Sequence, residues 1–266
     1  MAKQSLPQTT SHGPVVPGNQ RSEVSRSEHA KRRAIFKIVP EVGRHVIWHN
    51  DSTKVSFEGR FDLVLCSPPY FHPRNHSTTH GLSPRLADMD QFAQWVARVL
   101  LATSRALKAR RPLCFVKTDV KYRRTVLPVG FRIAESMEKL GFPVLAHWVW
   151  LRLTHYSPYA PSFANIFVFG QGNPKSLRHP GLFLTDDCRN RTTPSSFTPG
   201  LFEQLIRQFT KPNSCVLDPF VGLGSTPLAA SRSGRWSVGV ELSATQVAKA
   251  KEILSDHMVV TVRTLR

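Results

Sequence analysis

The chain has 266 residues, 41% of them apolar, and carries 36 Lys and Arg against 18 Asp and Glu, a net charge of +18. That apolar share supports a packed core and excludes a wholly disordered chain, and no apolar run approaches the roughly 20 residues a membrane helix needs. The basic excess points to a polyanionic partner, most often nucleic acid.

Residues 1–34 are rich in Ser, Gln, Pro, Arg and Lys with scattered apolar positions. They read as a disordered basic tail, and they lack the apolar core of a secretion signal. From residue 35 to 266 apolar runs alternate with helical patterns, as in one folded domain. HVIWH at 45–49 predicts a strand, and FDLVLC at 61–66 a second, nearly continuous apolar one. Residues 90–107 place Phe92, Trp95, Val96, Val99, Leu100 and Leu107 at three- and four-residue spacings, an amphipathic helix that Asp88 or Asp90 caps. A strand follows at 113–117, a short helix at 130–140 ending at Gly141, and two strands at 144–153 and 165–169. Residues 171–196 form a polar, basic loop. Thr198 and Pro199 then open a helix whose buried face is Leu201, Phe202, Leu205, Ile206 and Phe209. Strands are predicted at 214–217 and 236–240. Between them Thr226 caps a helix with Pro227 at its first position, and Ser243 with Gln246 forms a capping box for the next. A run at 259–265 reads as an edge strand.

The four cysteines, Cys66, Cys114, Cys188 and Cys215, form no C-x-x-C pair and read as reduced thiols of a cytoplasmic protein. His72, His76 and His80 are spaced by four, but Pro73 and Gly81 argue against one helical face, so no metal site is expected.

Alternating strands and helices imply an α/β fold, a mostly parallel sheet with helices on both faces. Ligands in such sheets sit beyond the carboxyl ends of the strands. Two strands end there in unusual chemistry. One gives Ser67-Pro68-Pro69-Tyr70; the other gives Asp218-Pro219-Phe220-Val221-Gly222-Leu223-Gly224-Ser225 and a helix start. Gly222 and Gly224 permit positive φ and close approach of a ligand. The loop lacks the Lys of a nucleotide-triphosphate loop. Glu241 ends the next strand, 17 residues after Gly224, where an acid accepts hydrogen bonds from ribose hydroxyls. In the other motif two prolines remove two N–H donors, leaving carbonyls and a serine oxygen beside an aromatic face. An amino group on a flat base fits such a site.

These residues resemble the amino-group DNA methyltransferases. Ser67-Pro-Pro-Tyr70 is similar to their catalytic motif, Asp218-Pro-Phe-x-Gly-x-Gly-Ser225 to their S-adenosylmethionine motif, and the order of the two is that of the β class. Asn50-Asp51 resembles the Gly-Asp element that contacts the cofactor adenine, with Asn50 in place of the usual Gly. Ser225 stands where Thr is usual. The resemblance covers residues 45–256 and implies a circularly permuted, Rossmann-like methyltransferase fold with residues 35–266 as its catalytic domain. Ser67 is typical of cytosine-N4 enzymes. The resemblance therefore implies S-adenosylmethionine-dependent methylation of cytosine N4 in DNA, with an N6-adenine or RNA amino-methyltransferase, or an inactive nucleic-acid-binding module, as alternatives.

On that reading Ser67, Pro68, Pro69 and Tyr70 are catalytic, and Asp51, Asp218, Phe220, Gly222, Gly224, Ser225 and Glu241 hold the cofactor. The Ser67 oxygen and the Pro68 carbonyl accept the two amine N–H bonds, and Tyr70 stacks on a flipped cytosine. Phosphate contacts are expected from Arg74, Arg85, Lys121, Arg123 and Arg124. Lys175, Arg178, Arg189 and Arg191 lie in the loop near 171–196, where the family's recognition region would fall and where only a short segment is available. A cognate restriction endonuclease acting on the same site is the further partner implied. No membrane partner is.

Overall fold

A computed structural model describes residues 36–71, 88–122, 124–152, 163–170, 182–185 and 199–264. The tail, most of the loop near 171–196, Thr198, His72, His76, His80 and Cys188 lie outside the described residues. The elements are β1 (Phe36–Ile38), β2 (His45–His49), β3 (Val55–Phe57), β4 (Leu63–Cys66), α1 (Met89–Ser104), β5 (Leu113–Lys117), β6 (Val120–Tyr122), β7 (Thr125–Leu127) and α2 (Val129–Lys139). After them come β8 (Val144–Arg152), β9 (Phe163–Phe169), β10 (Leu182–Thr185), α3 (Pro199–Phe209), β11 (Cys215–Asp218), α4 (Ser225–Arg232), β12 (Trp236–Glu241), α5 (Ala244–Ser255) and β13 (Thr261–Thr264).

Nine strands form one sheet in the order β10-β8-β9-β5-β4-β11-β12-β2-β13. All neighbours run parallel except those of β9, which is antiparallel to both β5 and β8. The sheet is thus α/β and mostly parallel, as expected. Within the 259–265 run, β13 (Thr261–Thr264) is an edge strand, pairing β2. β4 precedes β11 in the chain by most of the domain yet lies beside it.

Strand alternation divides the core between two faces. Val64 and Cys66 of β4 turn toward Phe92, Val96 and Leu100 of α1 and Ile133 of α2. Leu63 and Leu65 turn the other way, toward Leu201, Leu205 and Ile206 of α3 and Ala229 of α4. Each large apolar side chain withdrawn from water contributes on the order of 1.5–3 kcal/mol. The β4–β11 pairing is also held by a buried polar staple. Asp62 accepts the Cys215 N–H at 3.0 Å and pairs with Lys108 Nζ at 2.7 Å.

Helix boundaries mostly follow the local chemistry. Asp88 caps α1, accepting the Asp90 N–H at 2.9 Å, and Ser243 caps α5, accepting the Gln246 N–H at 3.4 Å. Gly141 takes φ +80° just past α2. Thr226 departs from expectation. The cap of α4 is Gly224, in the left-handed region at φ 92°, and the helix starts at Ser225. The Thr226 hydroxyl is instead drawn to the buried Asp218 carboxylate.

Among the described residues, no helix is long and apolar enough to cross a membrane, and no group of three His, Cys, Asp or Glu could hold a metal. Cys66, Cys114 and Cys215 are free and buried, and burial raises the pKa of all three thiols, Cys215 to about 12.

Candidate active site

Because β2, β4, β5, β11 and β12 are parallel, their carboxyl ends share one rim of the sheet. A cavity of about 160 Å³ opens there. Its walls include Ser67, Pro68, Pro69 and Tyr70 after β4, Asp218 to Leu223 and Ser225 after β11, Glu241 at the end of β12, and Asp51 after β2. The two loops singled out by their sequences therefore face one space.

The glycine loop is shaped by two acids. Asp218, 3% exposed, accepts the Phe220 N–H at 2.9 Å on one oxygen and the Thr226 hydroxyl on the other. Burial pushes its carboxyl up to about 7, against the pull of those two hydrogen bonds. Glu241 accepts the Gly222 N–H at 3.0 Å and the Ser243 N–H at 2.8 Å, one on each oxygen. Burial raises its pKa too, opposed by those N–H donors. Each carboxylate oxygen keeps a further lone pair for a ligand hydroxyl.

The two glycines differ. Gly222 has φ +54° and lines the cavity, and an added Cβ would lie 3.4 Å from Gln246 Oε1. Gly224 was expected to make room for a ligand, but it is not part of the cavity wall. Its φ is +92° and a Cβ would meet Leu254 Cδ1 at 2.8 Å, so the missing side chain makes room for α5.

Asp51 closes a local turn, its Oδ1 accepting the Thr53 N–H at 2.9 Å and the Thr53 hydroxyl at 2.7 Å. Next to it Ser52 donates to the Pro219 carbonyl at 2.6 Å, tying the end of β2 to the glycine loop. Phe220 lines the cavity and packs on Trp95, ring centroids 5.7 Å apart.

Lys121 and Arg124 are exposed on the β6–β7 hairpin that follows β5. Arg74, Arg85, Arg123, Lys175, Arg178, Arg189 and Arg191 lie outside the described residues.

Ser52, Trp95 and Gln246 are among the cavity-lining residues that sequence reasoning did not assign to the site. Trp95 read as helix core because it shares the apolar spacing of α1. Lys117, the last residue of β5, was also missed. It is 1% exposed, donates to the Pro68 carbonyl at 2.9 Å and the Pro69 carbonyl at 2.7 Å, and sits 4.2 Å from the Tyr70 ring centroid. The sequence shows only a cation closing the apolar run LCFVK; the sheet order is what sets it beside β4.

The residues fit an adenosine-type methyl donor. Gly222 offers a backbone approach without a Cβ. Asp51 and Glu241 offer acceptors for hydroxyl and amino groups, and Phe220 and Trp95 offer flat apolar surface.

Residues 171–252 match the N6_N4_Mtase family model, described as DNA methylase. The chain is 36% identical to the type II methyltransferase M.BglII of Bacillus subtilis over 235 residues, 73% of this chain and 63% of that protein. A candidate DNA modification methylase of Thermus thermophilus, solved in complex with S-adenosyl-L-methionine, superposes with a TM-score of 0.63 at 27% identity, covering 84% of this chain and 99% of that one. The PvuII DNA methyltransferase, cytosine-N4-specific, shares the fold at a TM-score of 0.67 and 18% identity, covering 82% and 92%.

The fold is that of S-adenosylmethionine-dependent DNA methyltransferases. The segment that matches the N6/N4 DNA methylase model spans the glycine loop and Glu241.

Proposed function

We propose that the chain methylates the exocyclic N4 amino group of cytosine in DNA. The observation that carries this reading is that Ser67-Pro-Pro-Tyr70 and the Gly222 loop line one cavity. The amino nitrogen is a weak nucleophile because its lone pair is delocalised into the ring. The Ser67 oxygen and the Pro68 carbonyl accept its two N–H bonds, which favours tetrahedral geometry and turns the lone pair toward the donor pocket. The Pro68 carbonyl already accepts one bond from Lys117, and its second lone pair serves the base. Bound S-adenosylmethionine supplies the electrophilic methyl group. The nitrogen forms a bond to that carbon as the carbon–sulfur bond breaks, and the N–H proton leaves afterwards from a nitrogen that has become acidic. Positioning and electrostatics account for the rate.

Tyr70 stacks on the flipped base, using the ring face turned away from Lys117. Asp51 and Glu241 hold the adenosine part of the donor, with Gly222 and Ser225 beside it. The net charge of +18 suits a phosphate backbone, with Lys121 and Arg124 among the contacts. A restriction endonuclease of the same site is the partner this reading carries, in keeping with the type II relative.

The test is incubation with labelled S-adenosylmethionine and unmodified DNA, followed by mass analysis of nucleosides. N4-methylcytosine is expected. N6-methyladenine as sole product overturns the Ser67 assignment, and no product on DNA overturns the enzyme reading. Ser67→Ala is expected to lower kcat by about 100- to 1000-fold.

A further inference from the structure

Pro68 and Pro69 have no N–H, so the loop they form cannot be fastened through backbone donors at those positions. It is fastened through its carbonyls, and the donor to both is Lys117, whose Nζ lies 2.9 Å and 2.7 Å from them. Lys117 ends β5, the strand next to β4, and is 1% exposed. No carboxylate pairs with it among the described residues. Its ammonium also covers one face of the Tyr70 ring at 4.2 Å. Pro68, Pro69 and Tyr70 line the cavity, whereas Lys117 does not; it stands behind the loop.

We propose that Lys117 is a positioning residue for methyl transfer: its two hydrogen bonds and its contact with Tyr70 fix the acceptor loop in the geometry that receives the target base. This rests on the reading of that loop given above. One lysine head sets the Pro68 carbonyl, which accepts an amine N–H, together with the ring on which the base stacks. Burial lowers the Lys117 pKa to about 7, and a neutral amine still has two N–H bonds, one for each carbonyl. The two carbonyl hydrogen bonds are therefore available in either protonation state. Lys117 touches neither the glycine loop nor Glu241 through any hydrogen bond, so donor binding is separable from it.

Lys117→Met keeps the length and removes both donors, and Lys117→Gln restores an uncharged NH₂ group. Wild type and both variants are compared for thermal midpoint, for S-adenosylmethionine Kd by calorimetry, and for kcat and KM on DNA. For Lys117→Met, Kd within about threefold of wild type and kcat lowered about 100-fold are expected, the cost of a loop misplaced by about 1 Å. Lys117→Gln is expected within about tenfold of wild-type kcat. Lys117→Met at wild-type kcat overturns the inference, as does parallel loss of donor affinity and turnover, or Gln performing no better than Met. Should the Met chain fail to fold, a folded but inactive Gln chain overturns it, and a folded, active one supports it. An inactive wild type defeats the functional reading itself, and this inference with it.

Discussion

Glu241 accepts the Gly222 N–H at 3.0 Å, linking the end of one strand to the loop after its neighbour. A single carboxylate thus shapes the glycine loop and stands at the cavity wall. Hydrogen bonds to a charged group contribute about 1.5–3 kcal/mol each. Glu241→Ala is expected to weaken S-adenosylmethionine binding by about 10- to 150-fold in calorimetry. Wild-type affinity in this variant would remove Glu241 from the site.

The glycines separate packing from binding. Gly224→Ala places a Cβ 2.8 Å from Leu254 Cδ1 at φ +92°. Left-handed strain and overpacking together cost about 2–4 kcal/mol. Gly222→Ala meets Gln246 Oε1 at 3.4 Å and the Phe220 carbonyl oxygen at 3.9 Å and costs about 1 kcal/mol from its φ, while crowding the cavity. Urea unfolding is expected to show the larger loss in Gly224→Ala, and donor titration the larger loss, relative to stability, in Gly222→Ala.

Asp218 carries a pH signature. Its folded carboxyl is raised to about 7 from an ordinary 3.8, so the fold prefers the protonated form. The stability this contributes is present below pH 4 and lost as pH rises toward 7, with a slope of at most about 1.4 kcal/mol per pH unit. Asp218→Asn keeps an acceptor and cannot ionise. Denaturant curves at pH 5 and pH 8 should show the variant gaining on wild type at the higher pH, whereas Asp218→Ala, which strands the Phe220 N–H, should be destabilised at both.

Lys117 has the opposite dependence. Its folded pKa is lowered to about 7 from 10.5, so the fold prefers the neutral amine. The associated stability is complete above about pH 10.5 and lost as pH falls toward 7, again with a slope of at most about 1.4 kcal/mol per unit. Unfolding free energies of wild type and Lys117→Met measured from pH 7 to 9.5 should diverge in favour of wild type. Parallel curves would mean that Lys117 stays charged in the fold.

The long strands and most helices could be read from the chain because burial imposes periodicity. The runs HVIWH, LVLC and LCFVK are apolar on both sides because helices cover both faces, and Asp88 and Ser243 mark their helix starts by side-chain capping. β1, β3, β6, β7 and β10 are only three or four residues long and carry too little pattern to read. Thr226 misled because a hydroxyl before a proline resembles a cap, while its partner, Asp218, is fixed by the loop's closure. The packing role of Gly224 was hidden for a related reason: the side chain it accommodates, Leu254, lies 30 residues away on α5. The two rim loops announced themselves through residues that are costly elsewhere, paired prolines and paired glycines. Lys117 did not, because only the sheet order puts it behind them.

Asp62 and Cys215 meet across 153 residues, in the staple that sets β4 beside β11. One half of the cavity wall therefore leaves the ribosome long before the other. Contacts so distant along the chain form late in folding, after the loop-closure entropy has been met. A nascent chain ending before Glu241 has the Ser67-Pro-Pro-Tyr70 segment but lacks part of the facing cavity wall. The cavity is therefore complete only once the last third of the polypeptide has docked against β4.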